Sequence, residues 1–173
     1  MKKLFLFSIL LAITILPGCG KSDLNKNTSN DAWLLYTNEA QGFAIPYLDS
    51  WNIKEFKVPA DFPFAIIGFD PEPITHDTPA KTDNGKIVMQ VYNGPYMQKL
   101  IDKQKQKPGY SGTVKTFGKS VGMEISFETP EQKFSYMTVV EKNGKTFILA
   151  TEELSDIENI NVYEKMAEGL SLD

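Results

Sequence analysis

The sequence predicts an α+β domain, an antiparallel sheet flanked by helices in an α/β/α sandwich, and three observations predict it. Short strand patterns recur from residue 33 to residue 151, Asn143-Gly144 marks a tight hairpin between two of them, and two amphipathic helix patterns interrupt and close the series. No internal repeat breaks this single-domain reading.

The strands are expected at 33–36, 42–47, 52–58, 64–69, 86–92, 113–117, 121–128, 132–142 and 145–151. Pro46 cannot donate to a ladder, so the strand at 42–47 is expected to be an edge or to be bulged there. In 121–128, Val121, Met123, Ile125 and Phe127 alternate with Gly122, Glu124, Ser126 and Glu128, the period-two pattern of a sheet covered on one face. Phe147-Ile148-Leu149-Ala150 is apolar on both faces and reads as a central strand. Asn143-Gly144 supplies the two positive-φ residues of a type I′ turn, which pairs 132–142 with 145–151.

The first helix is expected over 95–107. Gly94-Pro95 puts proline at a first helical position, Tyr96, Met97, Leu100 and Ile101 share a face, and Pro108-Gly109 stops the run. Its lysines, Lys99, Lys103, Lys105 and Lys107, read as a solvated face, with attraction to anionic lipid head groups as the alternative. The second helix opens on a capping-box pattern, Ser155-Asp156-Ile157-Glu158. Its stripe of Ile157, Ile160, Tyr163, Met166, Ala167 and Leu170 is expected to pack on the sheet, the alternative being a partner's groove. The first helix argues against the other architecture considered, a lipocalin-like barrel with a C-terminal helix.

Ahead of the domain, Lys2 and Lys3 precede the apolar run Leu4 to Leu16, which is too short for the roughly 20 residues of a spanning helix and has the length of a secretory core. Leu16-Pro17-Gly18-Cys19 resembles the bacterial lipobox, with a leucine three positions before the only cysteine and a small residue just before it. The resemblance implies a signal peptide at 1–18 and a lipidated Cys19, hence a lipoprotein on the extracytoplasmic side of a cell-envelope membrane. Two or three acyl chains, at about 0.8 kcal/mol per buried CH₂, hold far more firmly than one. Gly20 in place of aspartate lacks what resembles an inner-membrane retention signal, so inner and outer membrane stay open. Residues 20–31 hold one apolar side chain, Leu24, and read as a tether with a reach of roughly 17 to 20 Å. The globular domain is expected over 32–173.

Composition narrows the chemistry. All 18 basic residues are lysines against 22 acidic ones, and loss of Lys2 and Lys3 takes the charge from −4 to 16 − 22 = −6. An acidic domain without arginine forks lacks the footprint of a nucleic-acid binder. His76 is the only histidine, so no Cys/His zinc site or Cys-His dyad is available beside a lipidated Cys19. Neither G-x-S-x-G nor a glycine-rich phosphate loop occurs. No cofactor or metal is expected.

The segment Gly42-Phe43-Ala44-Ile45-Pro46-Tyr47-Leu48-Asp49-Ser50-Trp51 resembles the opening strand and turn of PsbP-like domains, where G-F-x-[I/V]-x-Y-P-x-x-W is common. The order of strands, mid-chain helix, strands and closing helix is also similar. Leu48 departs from the pattern, standing where the family has proline. The resemblance implies a sandwich shared by the PsbP subunit of photosystem II and a yeast Ran-binding protein. Such a fold hosts docking proteins with unrelated partners, so no photosystem or Ran role follows from it.

The long segment from Asp70 to Gly85 is the first place to look for a site, because it carries Asp70, Glu72, His76, Asp77 and Asp83 without apolar periodicity. Its spacing is not that of an EF-hand, and Asp83-Asn84-Gly85 is a common turn. His76 is expected to be an exposed loop residue. Three function classes remain. The first is a non-catalytic docking or accessory lipoprotein for an envelope partner. The second is a small-molecule or lipid-binding module, suggested by the 12% aromatic content. The third is a hydrolase using Glu124 and Glu128, two carboxylates on one strand face, against which stands their reading as solvent-facing charges.

Overall fold

The structure is a computed structural model that describes residues 32–59, 64–80, 84–128, 134–154 and 157–173. The signal peptide, Cys19, the tether, Asp83, Ser155 and Asp156 lie outside the described residues, as do the side chains of Glu128 and Ile157.

Seven antiparallel strands form the central sheet, in the order β3-β4-β5-β9-β8-β7-β6. They are β3 (Asn52–Glu55), β4 (Phe64–Asp70), β5 (Ile87–Asn93), β6 (Tyr110–Phe117), β7 (Ser120–Glu128), β8 (Phe134–Lys142) and β9 (Lys145–Leu154). A smaller sheet pairs β1 (Trp33–Asn38), β2 (Phe43–Leu48) and β10 (Ser171–Leu172), with β2 in the middle. Helix α1 spans Met97–Gln104 and α2 spans Ile157–Glu168. The central place of β9 agrees with its doubly apolar sequence: Phe147 and Leu149 face one side and Ile148 the other, all buried. Asn143 and Gly144, at φ 52° and 73°, turn β8 into β9 as a tight hairpin should.

On one face of the sheet, α2 and the small sheet close the larger core. Phe43, Ile45 and Leu172 meet Tyr163, Met166 and Leu170 there, over Phe69, Met89, Val91 and Leu149. On the other face α1 sets Ile101 on Ile125, Val139 and Ile148. The arrangement is therefore looser than helices on both sides. One cover is a helix beside a three-stranded sheet, and the other is a short helix beside the long loop that follows β4.

Three expectations need correction. The strand at 42–47 is central in its sheet rather than an edge along its length, and only its Pro46 end has a side that no strand pairs among the described residues. β2 pairs with β1 along its whole length, Leu35 opposite Pro46, and its other side meets β10 only at Phe43 and Ala44. The Gly42 carbonyl accepts from the Asp173 amide, so alternate residues 42, 44 and 46 face β10. β10 begins too late to reach Pro46, so the missing N–H breaks no ladder bond. Secondly, β7 is covered on both faces rather than one, because its polar side, with Glu124 and a buried Gly122, turns toward α2. Thirdly, the first helix is shorter than 95–107, since Pro95 and Tyr96 precede it and Lys105 ends it.

Tyr36 ties the small sheet to β3. Its hydroxyl donates to Glu55 Oε1 at 2.7 Å, and its ring meets Phe69 edge-on at 6.0 Å between centroids. Partial burial, and then the hydrogen bond to the Glu55 carboxylate, push the phenol up to about 12. A raised folded-state value means the contribution is complete below the ordinary phenol value of about 10. It is lost as pH rises from there through about 12. Ultraviolet titration of wild type and Tyr36→Phe is expected to show one late-ionising tyrosine disappear from that window. A variant titrating like wild type would contradict the contact.

Candidate functional site

Helix α1 is a poor autonomous helix start, since no side chain of its own caps it. The caps come from the β8–β9 hairpin. Thr146 Oγ1 accepts from the Tyr96 amide at 2.8 Å and donates to the Gly94 carbonyl at 2.7 Å, while Glu141 Oε1 accepts from the Met97 amide at 2.6 Å. The carboxylate also suits the positive end of the helix dipole. Gly94, at φ 126°, makes the turn between β5 and α1 and brings the Tyr96 ring across Tyr92, 5.7 Å between centroids and tilted 60°. Thr146→Val keeps the shape and removes the two bonds made through Oγ1, leaving the Glu141 bond to Met97 in place. It is expected to cost about 1–3 kcal/mol in urea denaturation, with faster amide exchange at Tyr96. Unchanged exchange there would rule out the cap.

This junction creates a cleft of about 290 Å³, lined by Tyr92, Tyr96, Lys99, Leu100 and Lys103. The walls are largely apolar, and two lysines, Lys99 and Lys103, are among the lining residues. Burial raises the Tyr92 phenol, and its hydroxyl donates to Gln90 Oε1 at 3.2 Å. Farther along the lysine run, Lys105 lies 3.8 Å from Asp102 and Lys107 sits 5.0 Å from the centre of the Phe127 ring. Lys99 and Lys103 make no ion pair or hydrogen bond among the described residues.

A second surface lies at the far end of the sheet. Strand β6 has its free edge outward, and among the described residues no strand pairs with that side. Its residues from Ser111 to Thr116 are exposed. Val114 and the neighbouring Val121 are 66% and 64% exposed, and the register places both on the α1 face. The opposite edge is blunted: β3 has only four residues, and the chain just past it gives the Lys57 amide to the Asp77 carbonyl.

The segment from Asp70 to Gly85 turns out to be a cover for the sheet. Buried Asp70 accepts from the amides of Glu72 and Lys86, both at 2.8 Å, so its carboxylate closes the two ends of the loop. Asn84 exchanges two 2.8 Å bonds with the backbone of Ala80. His76 is half-buried rather than exposed, its ring 5.2 Å from that of Phe56, and its Nε2 is shielded without a hydrogen-bond partner among the described residues. Asp77 is held below the ordinary carboxylate range, first by its hydrogen bond to Lys54 at 2.5 Å and then by the charges of Lys54 and Lys57. Glu72 is exposed. No group of three or more His, Cys, Asp or Glu among the described residues could hold a metal.

Glu124 and Glu128 are on one strand, as expected. Glu124 is engaged by Lys115 at 2.5 Å, in a shallow cleft that also has Glu164 and Glu168 of α2. Of the residues singled out in the sequence, the structure thus brings Lys99 and Lys103 into one site, while Asp70, Asp77 and Glu124 are occupied by contacts of their own. Tyr92 and Tyr96 were missing from the sequence reading as a pair. The signal available was Tyr92-Asn93-Gly94-Pro95-Tyr96, an aromatic on each side of a glycine turn.

No family model matches the chain. No curated protein matches it either. Among solved structures, it is similar to cyanobacterial PsbP (CyanoP) from Synechocystis sp. PCC 6803, with a TM-score of 0.52 and 10% identity over 91% of this chain and 99% of that one. A protein of unknown function from Pseudomonas aeruginosa is matched at a TM-score of 0.36 and 15% identity, over 82% of this chain and 97% of that one. The chain has a PsbP-like fold. Phe43, Ile45 and Trp51 of the resembling segment are all buried in the larger core, which accounts for that sequence pattern by packing.

Proposed function

We propose that this chain is a membrane-anchored lipoprotein of the cell envelope, lipidated at Cys19, whose domain is a non-catalytic docking module for an envelope protein. The observation that carries the docking reading is β6. An eight-residue edge strand whose outward backbone groups no strand pairs among the described residues, flanked by exposed Val114 and Val121, is the feature that proteins blunt when it has no use. It suits an extended segment of a partner, added as an eighth strand, with backbone bonds giving affinity and the valine patch giving register. The anchor rests on the lipobox pattern and on a run too short to span.

Acyl labelling in the native host separates the two parts of this reading. Label on wild type and none on Cys19→Ser is expected, and equal label on both would remove the anchor. A partner co-isolated with the full lipidated chain is expected to fall about tenfold or more with Val114→Lys, the scale of one apolar side chain replaced by a charge. It is expected to stay with Glu39→Lys, at an exposed turn in the small sheet. Equal recovery with both variants would take β6 out of the reading.

A further inference from the structure

We infer that the cleft between β5 and α1 is a binding site for a small aromatic anion, independent of docking at β6. Three strands separate β5 from β6, so the two surfaces do not compete for the same residues.

The chemistry follows from the lining. Tyr92 and Tyr96, tilted 60° to each other, offer one ring face and one ring edge, and Leu100 closes the apolar side. An aromatic body satisfies both rings through offset and edge contacts. Lys99 and Lys103 stand one helical turn apart, and both line the cleft. Neither is neutralised by a carboxylate among the described residues. That sets them apart from Lys105, which lies near Asp102, and from Lys115, which holds Glu124. In a domain of net negative charge, two unpaired cations beside an apolar cleft select a ligand that carries a negative head. The Tyr96 hydroxyl likewise has no partner among the described residues and can donate to that head.

Size narrows the class. About 290 Å³ is at the lower end of small-molecule sites, which run from roughly 300 to 1,000 Å³. One ring with a short acidic arm is of that size. The position is also pre-formed. Gly94 turns the chain, and the caps from Thr146 and Glu141 fix the start of α1, so binding orders little that is not already ordered.

The test uses the full lipidated chain in nanodiscs of zwitterionic lipid, followed by side-chain NMR. The probes are phenylpropionate, its neutral amide and octanoate. Phenylpropionate is expected to shift the resonances of Tyr96 and Leu100 and to bind about tenfold more tightly than the amide, the scale of two exposed ion pairs. The double variant Lys99→Gln/Lys103→Gln is expected to erase that difference, and the Tyr92 and Tyr96 ring resonances, read without ligand, show whether the cleft is still folded. The inference is overturned if neither residue shifts, if acid and amide bind equally, or if the difference survives the double variant. Tighter binding of octanoate than phenylpropionate would overturn it as well, in favour of a lipid-derived ligand.

Discussion

Tyr163→Ala is expected to remove about 3–5 kcal/mol of stability, within reach of the whole 5–15 kcal/mol of a typical domain. Tyr163 is fully buried in α2, with its ring 5.4 Å from that of Tyr136 and its hydroxyl 2.7 Å from Thr138 Oγ1. Truncation leaves a cavity at the contact between α2 and the sheet and orphans a buried threonine hydroxyl. Tyr163→Phe divides the two effects, since it keeps the packing and is expected to cost only about 1–3 kcal/mol for the unpaired hydroxyl. Urea denaturation should show a lower midpoint with an unchanged slope for both. A loss below about 1 kcal/mol for the alanine variant would mean that the helix does not close this core. Burial also raises the Tyr163 phenol, so it should ionise only as the domain unfolds in alkali.

Gly68→Ala is the second large effect, about 1–3 kcal/mol or more. Gly68 lies in the middle of β4, and a Cβ there would meet the Asn84 carbonyl oxygen at 2.0 Å and Ile74 Cδ1 at 2.9 Å. The first contact is with backbone, so the loop itself must lift from the sheet. The signature expected is local: rapid amide exchange at Lys86, whose N–H is held by Asp70, and protease cleavage after Lys86 or within 74–84. Gly144 gives a useful contrast. Nothing lies within 4 Å of its Cβ position, but its φ of 73° makes Gly144→Ala costly by about 1 kcal/mol through backbone strain alone. A Gly68→Ala protein with native exchange at Lys86 would show that the loop does not rest on β4.

Much of this fold was legible because its elements obey short-range rules. β7 declares itself by period, β9 by a run apolar on both faces, the β8–β9 hairpin by Asn143-Gly144, and α1 and α2 by apolar spacing. What stayed hidden needed contacts across the chain. β10 has two residues, too few for any period, and it exists because the Asp173 amide reaches Gly42 and the Lys142 ammonium reaches the Leu172 carbonyl. The caps of α1 come from residues 44 and 50 positions away. The loop after β4 looked like a site because its acids have no period, and it is a cover because Asp70 spends its carboxylate on two backbone amides. The site at α1 was half visible. The lysine run was plain, but which two lysines are unpaired depends on where Asp102 and Phe127 fall.

The docking reading is tested most directly by a photocrosslinking residue placed at position 114 in the full lipidated chain, irradiated in native envelopes, with position 57 as the exposed control. Docking through β6 predicts one defined protein adduct from 114 and none of that adduct from 57. The same adducts from both positions, or adducts to lipid alone from 114, would contradict it.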